Sequence, residues 1–411
     1  MRRLLNVNSY HYRRGGSDAV YFEHARVFGQ LGWENAYFSM KYPKNVDSEW
    51  SKYFVDELEF GFDYTFLQKM VMASKVVYSF EAQRKLEQLL GVFKPDIAHL
   101  HCIYHHLSPS ILPVMRKHGI PVVMTAHDLK LACPAYKMLN AGGICEKCKD
   151  GSVLNVVKNR CIRGSLGASA IVAVESALHG VGGLLNTYYK HLSAIVAPSH
   201  FYREKLIEWG WDAKRVVYIP NFSDVPDQVS GKPGQYILYF GRLSFEKGVH
   251  TAIAAAAAAG VELVIAGTGP DDSKLKALAQ ELKAPVRFVG YQSGAALHQL
   301  VDDCRAVVLP SEWYENAPMT VLESFARGKT VIGATMGGIT EMINEGENGW
   351  LFESGNAAAL AQAYAQVMGE SDSRLLEMGM GGRQLVQEKF SRSRYVEEMS
   401  RLYDGLLAAP H

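Results

Sequence analysis

Residues 309–351 read L-P-S-E-W-Y-E-N-A-P-M-T-V-L-E-S-F-A-R-G-K-T-V-I-G-A-T-M-G-G-I-T-E-M-I-N-E-G-E-N-G-W-L. The apolar residues Ala306 to Leu309 have the character of a buried strand end, the polar turn after them carries Glu312, Glu315 and Asn316, and a helical period follows from about Pro318 to Ala326. A helix start offers unpaired N–H groups and partial positive charge, so Asn316, Ala317, Pro318 and Met319 form a natural seat for a phosphate. Glu315 lies ahead of that start. Glu323 lies two turns inside it, but helical side chains lean back toward the N-terminus, so both carboxylates can reach one crevice. Ionised carboxylates accept hydrogen bonds from hydroxyl pairs, and a ligand with both phosphates and hydroxyls is a nucleotide sugar. The same spacing also suits two solvated glutamates on an ordinary βα unit.

The rest of the chain repeats this rhythm. Leu4 to Val7 reads as a strand, Arg13-Arg14-Gly15-Gly16-Ser17-Asp18 as a glycine turn, and Val20 to Leu31 as a helix capped by Ser17 or Asp18. Glycines there let backbone N–H groups approach a phosphate, although many such turns are only tight connections. Residues 43–90 read as amphipathic helix rich in aromatic residues. Lys94 to His101 makes a strand whose histidines are expected to serve packing and hydrogen bonding. Val122 to Thr125 makes another, with Ala126-His127-Asp128 just past its C-terminal end, where ligands of open parallel sheets collect. After strands near Ala194 and Val216, the polar stretch 225–235 reads as a linker. A second domain opens at Tyr236, with Gly241-Arg242-Leu243-Ser244-Phe245-Glu246-Lys247-Gly248 turning its first strand into an alanine-rich helix. Arg242 and Lys247 are the informative pair, because a guanidinium and an ammonium can neutralise a diphosphate leaving group, and no D-x-D metal motif occurs in the chain. Tyr291 and Gln292 follow a later strand, and a last helix runs from Tyr395 to Leu407.

Glu315 and Glu323 with seven residues between them, followed by Gly328, Gly337-Gly338 and Glu341, together with G-R-x-x-x-x-K-G at 241–248, resemble the retaining glycosyltransferases of the group 1 family. The likeness extends over nearly the whole chain. It implies the GT-B architecture, an α/β fold of two Rossmann-like doubly wound domains facing across a cleft. By resemblance, residues 1–224 form the acceptor-side domain with an insertion at 130–185, 236–390 form the nucleotide-sugar domain, and 391–411 return to the first. It also implies that Gly15 and Gly16 face the donor diphosphate and acceptor, that His127 reaches the transferred sugar, and that Tyr291 and Gln292 contact the base. Glu315 then holds sugar hydroxyls and Glu323 the ribose, while Arg242 and Lys247 stabilise the leaving diphosphate without a cofactor. The implied partners are a nucleotide-diphosphate sugar and a glycan or polyprenyl-linked acceptor of bacterial cell-surface polysaccharide synthesis, with no nucleic acid. A sugar-nucleotide epimerase and a non-catalytic partner of the same architecture are the rival readings.

The 411 residues, 48% of them hydrophobic, suffice for two cores. The net charge of +1 conceals a division: residues 1–220 hold 27 Lys/Arg against 19 Asp/Glu, and residues 221–411 hold 16 against 23. A basic first half suits peripheral contact with anionic surfaces such as lipid phosphates at the inner face of the cytoplasmic membrane, against the alternative of a simple solvated surface. Met1 to Val7 reads as a first strand and not a signal peptide, so the chain is expected to stay in the cytoplasm. The longest apolar run, Leu166 to Leu185, contains Glu175 and His179, so no spanning helix is expected. Four of the six cysteines, Cys133, Cys145, Cys148 and Cys161, fall within 29 residues in the spacing C-x11-C-x2-C-x12-C. In a reducing compartment that pattern suits a structural zinc or an iron–sulfur cluster, against the alternative of merely buried thiols.

Overall fold

The structure, a computed structural model, describes residues 1–57, 65–140, 142–180, 189–229 and 232–408. The short apolar runs form two separate parallel sheets. The strands of the first are β1 (Arg3–Val7), β2 (Glu34–Phe38), β3 (Ile97–Leu100) and β4 (Val122–Thr125), then, after a small antiparallel hairpin of β5 (Leu139–Asn140) and β6 (Gly143–Ile144), β7 (Ala194–Ala197) and β8 (Val216–Tyr218). Their order is β2-β1-β3-β4-β7-β8. The second sheet holds β9 (Ile237–Phe240), β10 (Leu263–Ala266), β11 (Val286–Gly290), β12 (Ala306–Leu309), β13 (Val331–Ala334) and β14 (Gly349–Phe352), in the order β11-β10-β9-β12-β13-β14.

Every residue of β3, β4, β9, β10, β12 and β13 is buried, as strands covered on both faces require. Successive residues of β9 and β10 feed two apolar layers: Ile237, Tyr239, Leu263 and Ile265 enter one, and Leu238, Phe240, Val264 and Ala266 the other. In each sheet the strand order reverses once, between β1 and β3 and between β9 and β12. Open α/β sheets bind ligands outside the carboxyl ends of the strands at such reversals, and the glycine turns at 15–16 and 241–248 and the turn at 310–318 all lie there.

The chain divides into two units, Met1–Ile219 with Val396–His411, and Pro220–Tyr395. The stretch 225–235, expected as a linker, therefore belongs to the second unit, where Val225 packs on the core and Arg383 Nη2 donates to the Pro226 carbonyl. Residues 230 and 231 of that stretch, and residues 141 and 181–185 of the expected insertion, lie outside the described residues. The first helix also departs from expectation. It spans Gly16–Gln30 with Gly15 as its unassisted cap, so Ser17 and Asp18 lie inside the first turn. Asp18 is buried instead, accepting from Asn8 Nδ2 at 3.0 Å and from the Arg14 guanidinium. Within 43–90 a short 3₁₀ turn, Glu49–Tyr53, precedes helices Phe66–Val77 and Phe80–Val92.

The final helix, Arg392–Ala408, enters the first unit at Val396 and buries Tyr403 completely against Phe28 and Trp33. Its hydroxyl bonds His24 Nε2 at 3.0 Å and His99 Nδ1, and His99 Nε2 bonds Thr125 Oγ1 at 2.7 Å. Among the described residues no helix is long and apolar enough to cross a membrane. The apolar helix Leu166–His179 turns Glu175 inward to a buried ion pair with Lys130.

Candidate active site

In the second unit the site is built by two turns forced into contact. Gly248, at φ 64°, sits where a Cβ would lie 1.8 Å from the Pro310 carbonyl oxygen, so only glycine lets the turn after β9 rest on the turn after β12. That contact sets Lys247 beside Glu315, with Nζ donating to Oε1 at 2.6 Å. Ser311 Oγ, at 2.5 Å, and Trp313 Nε1, at 2.9 Å, donate to the same oxygen, and Nζ stands 5.1 Å from the Trp313 ring centroid. Among the described residues Oε2 of Glu315 receives no hydrogen bond. Gly337, at φ 61°, makes a second close approach, where a Cβ would lie 2.3 Å from the Glu315 carbonyl oxygen. The next N–H, of Gly338, donates to that oxygen at 2.9 Å. Glu315 is thus held at backbone and side chain alike.

Arg242 is exposed and has no ion pair among the described residues. The helix Met319–Ala326 starts after Pro318 with no side-chain cap, and Asn221 Nδ2 donates to the Ala317 carbonyl at 3.2 Å, steadying the turn ahead of it. Asn316 lies partly buried in that turn. Burial raises the Glu323 carboxyl to about 7, and no partner among the described residues offsets it. Glu312 goes the other way: burial opposes its ionisation, but hydrogen bonds from His250 and Thr251 outweigh this and hold it below the usual carboxylate range. Gln292 spends its amide N–H on the Val289 carbonyl at 2.7 Å, while Tyr291 is exposed.

In the first unit His127 lies past the end of β4, and its Nε2 faces His101 Nδ1 at 2.8 Å with the rings stacked. One of the two nitrogens carries the shared proton. Burial lowers His127 to about 4 and His101 well below its ordinary value, so both are uncharged near neutrality. Asp128 is pushed up to about 6 by burial, opposed by the Lys130 N–H donating at 2.9 Å. Gly15 has an extended backbone, and a Cβ there would meet nothing within 4 Å, so this turn is open rather than strained.

The profile described as Glycosyltransferase Family 4 matches residues 14–225, and that described as Glycosyl transferases group 1 matches 223–383. The chain belongs to glycosyltransferase family 4. The lipopolysaccharide core biosynthesis glycosyltransferase LpsE of Rhizobium meliloti is 27% identical over 54% of this chain and 66% of its own length. The first-matched curated relatives are spanned over two thirds of their length or less. Among solved structures, sucrose-phosphate synthase from Thermosynechococcus elongatus superposes with a TM-score of 0.72 at 18% identity over the whole of both chains. Anabaena HepE, solved with UDP and glucose, gives 0.67 at 17% identity over 98% of this chain and all of its own. The two six-stranded parallel sheets are the GT-B fold.

The glycosyltransferase residues expected from sequence fall into two groups. Lys247 and Glu315 meet directly; Arg242, Glu323 and the helix start at Met319 lie on neighbouring elements of the same unit. His127 and the Gly15-Gly16 turn belong to the first unit. Sequence reasoning missed Ser311 and Trp313 as the other donors to Glu315, and expected packing and hydrogen bonding of His101 without naming His127 as its partner. A signal for His101 was present: β3 and β4 are neighbours, so histidines just beyond both C-terminal ends fall side by side.

Proposed function

We propose that this glycosyltransferase moves a sugar, with retention of anomeric configuration, from a nucleotide-diphosphate donor to a glycan or polyprenyl-linked acceptor in cell-surface polysaccharide assembly. The observation that carries the reading is the Glu315 carboxylate, with three donors on Oε1 and, among the described residues, none on Oε2. Such an anchor aims one acceptor oxygen at hydroxyls and leaves no charge to reorganise when they bind. Arg242 and the N–H groups of the helix starting at Met319 take the diphosphate, with Lys247 sharing its ammonium between Glu315 and the departing charge. Glu323, which has no partner among the described residues, accepts from the ribose. On the first unit the uncharged His127 offers a neutral hydrogen-bonding edge to the sugar, oriented through Nε2 by His101. The UDP and glucose in the HepE structure and the name of LpsE support a nucleotide-sugar donor and a surface-glycan product. An acceptor held at an anionic membrane fits the exposed Leu166 and Val174 beside the basic segment from Lys130 to Arg163.

The test begins with nucleotide sugars screened by protection against thermal unfolding, since a donor at a hundred times its dissociation constant adds about 2.7 kcal/mol. With the donor known, E315Q is expected to lower turnover by about 10² to 10³ while leaving nucleoside diphosphate affinity within about twofold. Equal loss of both would return Glu315 to nucleotide binding, and a free nucleotide product without a glycosylated acceptor would favour the epimerase.

A further inference from the structure

The four clustered cysteines take no part in the reaction above, yet the fold gathers them. Cys133 follows β4 by a short loop, Cys145 and Cys148 follow the β5–β6 hairpin, and Cys161 follows the short helix Asn155–Lys158. All four line one cavity of about 10 Å³, which Leu139 and Trp209 also line. They form no disulfide.

We propose that Cys133, Cys145, Cys148 and Cys161 bind one zinc ion as a tetrathiolate, a structural metal site that fixes the segment from Lys130 to Arg163.

Four observations support it. The first is room: a cavity of this size takes one atom-sized guest, whereas an iron–sulfur cluster with its bridging sulfides needs more. The second is backbone strain. Seven non-glycine residues have positive φ among the described residues, and four of them flank these cysteines: Tyr136 (57°), Met138 (47°), Arg160 (46°) and Arg163 (51°). Such conformations persist only where the surroundings over-determine them. Here the segment's own structure is a hairpin of two residues per strand and a four-residue helix, neither of which stands alone in water.

The third is the environment of the sulfurs. The N–H groups of Ala135 and Met138 point to Cys133, and that of Val156 to Cys148, as donors that favour thiolates. The fourth is charge: seven basic against two acidic residues between Lys130 and Arg163 suit a site whose four thiolates outweigh the metal by two negative charges.

Among the described residues no three candidate ligands are drawn together as an assembled shell. The sulfurs border the cavity, and Zn–S bonds of about 2.3 Å would draw them inward. The site bears on the reaction through position only, since Leu129 N–H donates to the Tyr136 carbonyl and Cys133 N–H to the Leu129 carbonyl, two residues beyond His127.

The experiment is elemental analysis of the full chain purified under reducing conditions without added metal, together with cobalt substitution and limited proteolysis. About one zinc per chain is expected, with the absorption of a tetrahedral cobalt thiolate after exchange. Stripping the metal from the wild type should open cleavage between Lys130 and Arg163, and adding zinc alone should close it. C148A should lose the metal and C304A, outside the cluster, should keep it. Wild-type protein that is metal-free with four titratable thiols overturns the proposal, whatever C148A does. So does iron with sulfide in place of zinc, or a disulfide between any two of the four in the reduced protein.

Discussion

The two units keep their working groups in opposite ways. In the first, burial keeps histidines uncharged: His24 falls to about 3, His127 to about 4, and His99 and His101 well below the ordinary value. In the second, pairing accommodates charge, with the Lys247 ammonium on a carboxylate that two further donors share. Glu323, a half-buried carboxyl with no partner among the described residues, rises to about 7. A neutral edge recognises hydroxyls without attracting counter-ions, whereas phosphate needs fixed charge. Under the function proposed above, the first unit would meet the acceptor and the second the nucleotide.

The two arrangements also respond to pH with opposite sign. A histidine lowered on folding binds fewer protons in the native than in the unfolded state, so stability is full above about 6.5 and is lost as pH falls toward 4. A carboxyl raised on folding binds more protons in the native state, so stability is lost as pH rises from 4.5 through about 7. The largest expected effect follows from the first. Between pH 7 and pH 5 the first unit should lose protection against hydrogen exchange, after correction for intrinsic rates, far more than the second. Each histidine held uncharged costs the first unit about 2 kcal/mol at pH 5 relative to neutral pH. Equal loss in both units would break the comparison.

A smaller effect sharpens the other side. E323Q should be more stable than the wild type at pH 8, on the order of 2 kcal/mol, and nearly equal to it at pH 5, as read by thermal unfolding. A pH-independent difference would mean the carboxyl finds a partner in solution. The smallest concerns Tyr403. Removing its hydroxyl leaves His24 and His99 each short of a partner, so Y403F should cost about 1 kcal/mol, confined to the first unit.

The strands and the strand–turn–helix units were legible because buried parallel strands are short and uniformly apolar, as Val122 to Thr125 and Ala306 to Leu309 are. Glu315 was legible from its place after such a strand. What surrounds it was not, because the Lys247–Glu315 contact depends on Gly248 and Gly337 admitting a backbone at distances a Cβ forbids. Spacing carries no record of that. The cap of the first helix was misread since Asp18, a good cap by type, is drawn inward to Asn8 and Arg14, and the open turn starts the helix at Gly16. The stretch 225–235 has a linker's composition, yet Arg383 fastens Pro226 to the second unit.

The return of the final helix sets an order of synthesis. Synthesis runs from the N-terminus, so every residue of Pro220–Tyr395 is joined before Val396, and the first unit lacks the residues of its returning helix until those of the second have been made. Domains otherwise tend to finish from the N-terminus as they emerge. Here the part made first is completed last, and a ribosome that stops short of residue 396 leaves Phe28, Trp33 and the histidine stack facing water beside a second unit that has all of its own residues.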